Sequence, residues 1–299
     1  MNIGANNAVR GRPRPAVEQS EFSFTDHDYR RIAAMIRADA GIDLREEKSA
    51  LVYSRLVKRL RALHLKSFED YCDLVEANAG CDERVEMLSA LTTNVTNFFR
   101  ERHHFEHLRQ QVLPPLIASA RAGDKLRIWS AGCSTGQEPY SIALSLLSLE
   151  PQAHRLDVKI LATDIDPRVV EAGRAGVYPE AALVEVPPGL RQRYFARGAG
   201  AERQSWSVAD EMRALVSFRV LNLNADWPMQ GQFAVIFCRN VVIYFDEQVQ
   251  RSLWSKFATK LAPGGWLYIG HSERVSGPAS DRLRVAGTTT YQLGSSRRA

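Results

Sequence analysis

Apolar and basic positions alternate at helical spacing between residues 48 and 63. Leu51, Leu56, Leu60 and Leu63 recur against Arg55, Arg59 and Arg61, which predicts an amphipathic helix. Upstream, Thr25 followed three residues later by Asp28 reads as a helix start in which a hydroxyl satisfies free backbone N–H groups. That helix runs to Ala40 and stops at Gly41. Two further helices are predicted over residues 67–77 and 82–91. No strand-like alternation or hairpin signal precedes residue 120, so residues 21–92 read as a small all-helical domain. Residues 93–123 are a linker and connecting helix.

After Gly123 the pattern changes. Short apolar runs over 126–130, 158–163, 218–221, 233–237 and 266–269 alternate with helices over 139–149, 167–175 and 247–261. This alternation implies parallel strands joined by crossover helices. Pro263, Gly264 and Gly265 are expected to end the last helix. About 40 residues separate the 167–175 helix from the strand at 218, against roughly 2 to 6 for a plain connection. Within them Tyr194-Phe195, Gly198-Ala199-Gly200 and residues 204–208 suggest a turn between short strands, so a β-containing insertion is expected over about 178–215. The predicted class is α/β, with residues 124–299 as the second domain.

Composition narrows the function classes. The 299 residues are 45% hydrophobic and 24% charged, the balance of a folded protein rather than a disordered one. Residues 1–20 carry Arg10, Arg12 and Arg14 between prolines and no apolar run, and read as a disordered tail without a secretory signal. The longest apolar stretches fall short of the ~20 residues a membrane span needs, so no membrane insertion is expected. Cys72, Cys81, Cys133 and Cys238 show no C-x-x-C pair, which predicts reduced thiols and a cytoplasmic location. The net charge of +5 is concentrated in residues 45–66, where seven Lys/Arg face Glu46 and Glu47. This helix is either a solvated face or a docking surface for an acidic partner, with Arg55, Lys58 and Arg59 as its contacts.

Candidate chemistry begins at residues 128–139, where Gly132 and Gly136 lie between a strand and a helix and backbone can approach a ligand closely. Asp164, at the end of the next strand, is suited to accept both hydroxyls of an adenosine ribose. The G-x-x-x-G loop and the long separation of Asp164 from Gly132 depart from a dinucleotide fingerprint, and favour S-adenosylmethionine over NAD. Glu138, at the helix start, can accept a hydrogen bond from a cationic methionine amine, or simply complement the helix dipole. His103, His104, His107, His154 and His271 are not expected to bind metal, because His103 and His104 should point apart and no acid or cysteine completes a set. Ser134 and Ser141 lack a G-x-S-x-G elbow, which argues against hydrolase chemistry.

The segments 91–101, 129–143, 162–166, 222–223 and 237–245, in this order, resemble the chemotaxis receptor methyltransferases, the CheR family. The resemblance covers about residues 22–293. It implies a Rossmann-like S-adenosylmethionine-dependent methyltransferase domain behind the helical domain, and methyl transfer to glutamate carboxylates of methyl-accepting chemoreceptor cytoplasmic domains, leaving S-adenosylhomocysteine. By the same resemblance Asn94, Thr96, Arg100, Glu138, Asp164, Asn222, Leu223, Arg239 and Asn240 line the cofactor pocket, together with Gly132 of the loop. Arg100 and Tyr244 are implied as the critical pair. Gln137 stands where an acid is common in the family. The insertion resembles the part that in some members holds a receptor's C-terminal peptide. Two other readings compete. Amine methylation, on nucleic acid or a small molecule, is disfavoured by the absence of prolines around residues 238–244 and of interleaved aromatics in the helical domain. A non-catalytic cofactor-binding adaptor is disfavoured because Arg100 and Tyr244 are both present.

Overall fold

The computed structural model describes residues 21–77, 82–199 and 204–294. The predicted tail, Cys81 and part of the 198–204 turn lie outside them. Four helices form the N-terminal unit: α1 (Asp26–Ala40), α2 (Ser49–Ala62), α3 (Phe68–Ala77) and α4 (Asp82–Leu91). α1 opens with a complete capping box between Thr25 and Asp28 and closes at Gly41, whose φ of 73° is the left-handed conformation glycine adopts without strain. Leu56 and Leu60 of α2 pack with Ile32, Ile36, Phe68 and Tyr71 in a separate core. Leu51 is 40% exposed and lies off that stripe.

Much of the basic face of α2, read from the sequence as either a solvated or a docking surface, is engaged within the protein. Arg55 Nη1 donates to the carbonyls of Leu91 (2.8 Å) and Thr92 (2.9 Å), and its Nη2 to Thr93 Oγ1 (3.1 Å), tying down the end of α4. Arg59 grips Glu83 through two hydrogen bonds of 3.1 and 2.6 Å and lies 3.2 Å from Glu86. Glu83 is buried and also accepts from Tyr71, so its charge needs that guanidinium. Of the three residues read as docking contacts, only Lys58 is exposed.

α5 (Arg102–His107), a π-helical turn over Leu108–Val112 and α6 (Leu113–Arg121) lead into the second domain. There follow β1 (Leu126–Ala131), α7 (Gln137–Leu149), β2 (Val158–Asp164), α8 (Pro167–Ala175), β3 (Val177–Pro179), α9 (Pro188–Tyr194), β4 (Phe195–Arg197), β5 (Ser205–Val208), α10 (Asp210–Leu215), β6 (Val216–Val220), β7 (Phe233–Cys238), α11 (Glu247–Lys260), β8 (Leu261–Ile269), β9 (Leu283–Gly287) and β10 (Thr290–Leu293). The main sheet has the order β6-β2-β1-β7-β8-β10-β9, parallel from β6 to β8, with β10 antiparallel to its neighbours. Its strands are buried on both faces: Ile128 packs into one core and Trp129 into the other. Chain order reverses at β1, which places a crevice outside the carboxyl ends of β1, β2 and β7.

The insertion forms its own antiparallel sheet, β3-β5-β4. It backs the glycine loop, since Tyr178 donates its hydroxyl to Thr135 O at 2.8 Å. Two features differ from the sequence reading. The β9–β10 hairpin was not anticipated, and Pro263, Gly264 and Gly265 lie inside β8 rather than ending a helix before a loop. Leu261 pairs with Phe233 and Trp266 with Val235, so the three residues bulge out of the ladder, where proline's missing N–H is tolerated.

Candidate functional site

A cleft of about 1140 Å³, including its solvent-open mouth, lies at the carboxyl ends of β1, β2 and β7. Asn94, Thr96, Arg100, Gly132, Glu138, Asp164, Asn222, Leu223, Arg239, Asn240 and Tyr244 all line it. Its floor is the glycine loop. The N–H groups of Gly132 and Cys133 donate to Thr163 O at 2.7 and 2.9 Å, and Gly132 takes a φ of 87°. A β-carbon there would come within 2.2 Å of Val241 Cγ2, so glycine is required for the two loops to meet. Asp164 is held by two backbone donors, Ser134 N to Oδ2 (2.8 Å) and Asp166 N to Oδ1 (3.1 Å). Each carboxylate oxygen has a further acceptor position. Burial pushes the Asp164 carboxyl above its ordinary range, while these N–H groups pull it down.

Glu138, on the first turn of α7, accepts from Ser130 Oγ (2.7 Å) and from Arg239 Nη1 (3.2 Å). Burial pushes its carboxyl up against the pull of Arg239 and Ser130. Arg239 also donates to the backbone carbonyl of Arg100 and lies 3.5 Å from Glu101 Oε2. Charges therefore alternate from Glu138 and Arg239, which line the cleft, to Glu101, which does not. The linker is pinned by its aromatic pair: Phe98 stacks edge-on against Tyr178 and Phe195, and Phe99 N donates to Ser141 Oγ. Phe99 and Glu101 adopt φ of 54° and 56°, strained for non-glycine residues, and Arg100 is set between them. Its Nη1 donates to Val95 O at 2.9 Å.

Two residues implied as cofactor contacts spend their amides on the scaffold. Asn94 Nδ2 donates to Asp166 Oδ2 (3.0 Å), and Asn222 Nδ2 donates to Asp39 O at the end of α1 (2.5 Å). The helical domain supplies a wall the sequence reading did not assign, comprising Ala40, Ile42, Leu44, Lys48 and Leu51. It grips the loop carrying Tyr244. Asp43 N donates to Tyr244 O at 2.8 Å, Ile42 forms a β-bridge with Phe245, and Arg37 pairs with Asp246 at 2.7 Å. Lys48 Nζ lies 5.3 Å from the centre of the Tyr244 ring. The sequence reading put Leu51 on the apolar repeat of α2, and the fold turns it to the cleft instead.

The expectation that His103 and His104 point apart is corrected. Their ring centres are 4.1 Å apart, and Glu101 joins them in a cluster whose ligand atoms lie within 4.8 Å of one another. The Arg239 guanidinium already neutralises Glu101 and would repel a divalent ion.

The set fits S-adenosylmethionine. A carboxylate at the end of β2 has acceptor positions suited to ribose hydroxyls, the loop at Gly132 lines the cleft without a phosphate nest, and Glu138 offers an anionic acceptor for an amine. The chain matches the family described as CheR methyltransferase, SAM binding domain, over residues 94–292, and its all-alpha domain over residues 27–92. It is 55% identical over 86% of its length to a Rhizobium etli protein named "Probable chemotaxis protein methyltransferase", covering 96% of that protein. It is 42% identical to chemotaxis protein methyltransferase 2 of Pseudomonas aeruginosa (93% of this chain, 97% of that one), and 41% identical to the chemotaxis protein methyltransferase of Escherichia coli (91% and 92%). With the family matched along both domains and a cleft that fits the cofactor, this chain belongs to the CheR family of S-adenosylmethionine-dependent methyltransferases.

Proposed function

We propose that this enzyme methylates glutamate side chains of chemoreceptor cytoplasmic domains, with Arg100 and Tyr244 handling the acceptor. The observation that carries this reading is the single cleft in which Asp164 and Glu138 lie deep, while Arg100, Lys48 and Tyr244 line the same space with Val95 and Leu51 exposed beside them. Asp164 and Glu138 would hold S-adenosylmethionine, which would supply an electrophilic sulfonium methyl for a carboxylate oxygen, its C–S bond pair staying with sulfur as a neutral thioether. A glutamate carboxylate is ionised at pH 7, about 2.7 units above its pKa, so no side chain here has to act as a base. The protein's contribution is orientation, an effect that reaches roughly 7–11 kcal/mol in well-aligned systems. Arg100 fits a carboxylate fork, and Tyr244 presents a hydroxyl and a ring at the acceptor end.

The receptor's C-terminal peptide is proposed to add to the insertion sheet, whose outer strand β4 is an edge; Arg191 and Arg197 stack over Trp206 beside it. A cytoplasmic location is supported by three buried free thiols, Cys72, Cys133 and Cys238, and no described helix is long and apolar enough to cross a membrane. The test is transfer of labelled methyl from S-adenosylmethionine to receptor-containing membranes, scored as alkali-labile product. Cofactor binding without such product would favour the adaptor reading.

A further inference from the structure

Glu273 lies outside the cleft, yet its carboxylate gathers four backbone N–H groups. Oε1 accepts from Val241 N (2.9 Å) and Val242 N (2.8 Å), and Oε2 from Asn240 N (3.1 Å) and Gly270 N (2.5 Å). Three of these donors belong to the loop after β7 that carries Asn240 and leads to Tyr244; the fourth begins the loop after β8. Asn240 sits at a φ of 58°, and nothing within the 240–242 segment accepts from its own N–H groups. Gly270 packs so closely that a β-carbon would meet Asn240 Nδ2 at 2.6 Å and its backbone N at 2.7 Å. Glu273 is buried, a position a carboxylate holds only when its oxygens are satisfied. The N–H groups are equally dependent on it, since consecutive backbone donors left without an acceptor are costly to bury.

We propose that Glu273 is a positioning residue for the reaction: its carboxylate folds the 240–242 backbone around itself and thereby sets Asn240 against the cofactor. The inference rests on the reading of Asn240 as a cofactor contact. Glu273→Gln keeps size but replaces one acceptor oxygen with an NH2 that confronts two N–H groups, so the loop cannot keep its shape. Glu273→Asp retains both acceptors on a shorter stem and is a partial rescue.

Titration calorimetry of the full chain with S-adenosylhomocysteine at 10 °C tests this, with circular dichroism to establish folding. Glu273→Gln should raise Kd at least tenfold and Glu273→Asp by less. Ile117→Ala, a core cavity in α6 remote from the loop, should lower the melting temperature with Kd within twofold of the parent. The cofactor KM of Glu273→Asp should rise more than its kcat falls, a split that general destabilisation does not produce. A folded Glu273→Gln variant with the parent's Kd, or an Ile117→Ala variant that loses affinity as far as its melting temperature falls, overturns the inference. If Glu273→Gln does not fold, Glu273→Asp decides alone: an unchanged Kd overturns the proposal. Asn240→Ala separates the two readings. Weakened binding there with unchanged binding in the Glu273 variants defeats only the positioning role, and unchanged binding in Asn240→Ala defeats the pocket assignment and this inference with it.

Discussion

Reversing the charge at Arg55 should damage the fold and the cofactor site together. A surface docking residue would instead lose only receptor methylation. The guanidinium holds the last carbonyls of α4 and the first linker residues, reaching Ala90 O (3.3 Å), Leu91 O, Thr92 O and Thr93 Oγ1. Thr92 and Thr93 line the cleft next to Asn94. Hydrogen bonds from a charged donor contribute about 1.5–3 kcal/mol each when buried, but this side chain is partly exposed and water recovers much of the loss, so the net cost of Arg55→Glu is about 2 kcal/mol. A carboxylate at a helix C-terminus adds about 0.5 kcal/mol more. At about 2 °C per kcal/mol for a chain of this size, the melting temperature should fall by about 5 °C. Thermal unfolding and calorimetry with S-adenosylhomocysteine measure both effects, and affinity should fall several-fold as Thr92 and Thr93 loosen. A variant that keeps its melting temperature and Kd while losing transfer to receptor membranes would refute this account and return Arg55 to the docking surface.

Asp164→Ala should weaken S-adenosylhomocysteine binding by about 10- to 100-fold, the loss of charge-assisted hydrogen bonds worth about 1.5–3 kcal/mol; a calorimetric Kd within twofold of the parent would remove Asp164 from the ribose. Gly132→Ala should be destabilised by the clash with Val241, and Gly132→Ala/Val241→Ala should recover part of the lost melting temperature, non-additivity between neighbours being the readout. Burial raises the Glu138 carboxyl, so its charge is complete only above that raised value and is lost as pH falls through it towards about 4.3, the ordinary glutamate figure. Cofactor affinity should therefore decline as pH falls through that raised value, and Glu138→Gln should flatten that slope in part, Asp164 being raised as well. Burial pushes His104 down to about 3. The unfolded chain then takes up its proton below about pH 6.5 and the native chain does not, so stability is complete above that pH and falls beneath it by at most ~1.4 kcal/mol per unit. Urea midpoints at pH 7 and 5 should converge in His104→Gln.

Features governed by neighbours along the chain were legible before any fold was known. The capping box at Thr25 and Asp28, the stop at Gly41 and the switch from helical to strand periodicity after Gly123 depend on residues within a few positions. So does the placing of Gly132 and Asp164 at strand ends, which a parallel sheet turns into one crevice. Arg55 and Arg59 illustrate the converse: a basic helical face is the same pattern whether it meets water, a partner, or the carbonyls of α4 and a buried Glu83. Asn94 and Asn222, which the family resemblance implied as pocket residues, line the cleft and also donate to Asp166 and Asp39, bonds that only the fold shows. Lys48 reaches Tyr244, Arg239 meets Glu138 and Glu273 gathers the 240–242 backbone only once distant segments are in contact. Side-chain partners at long separation are chosen by how the two domains and the sheet close around the cleft, and that choice leaves no periodic trace in the chain.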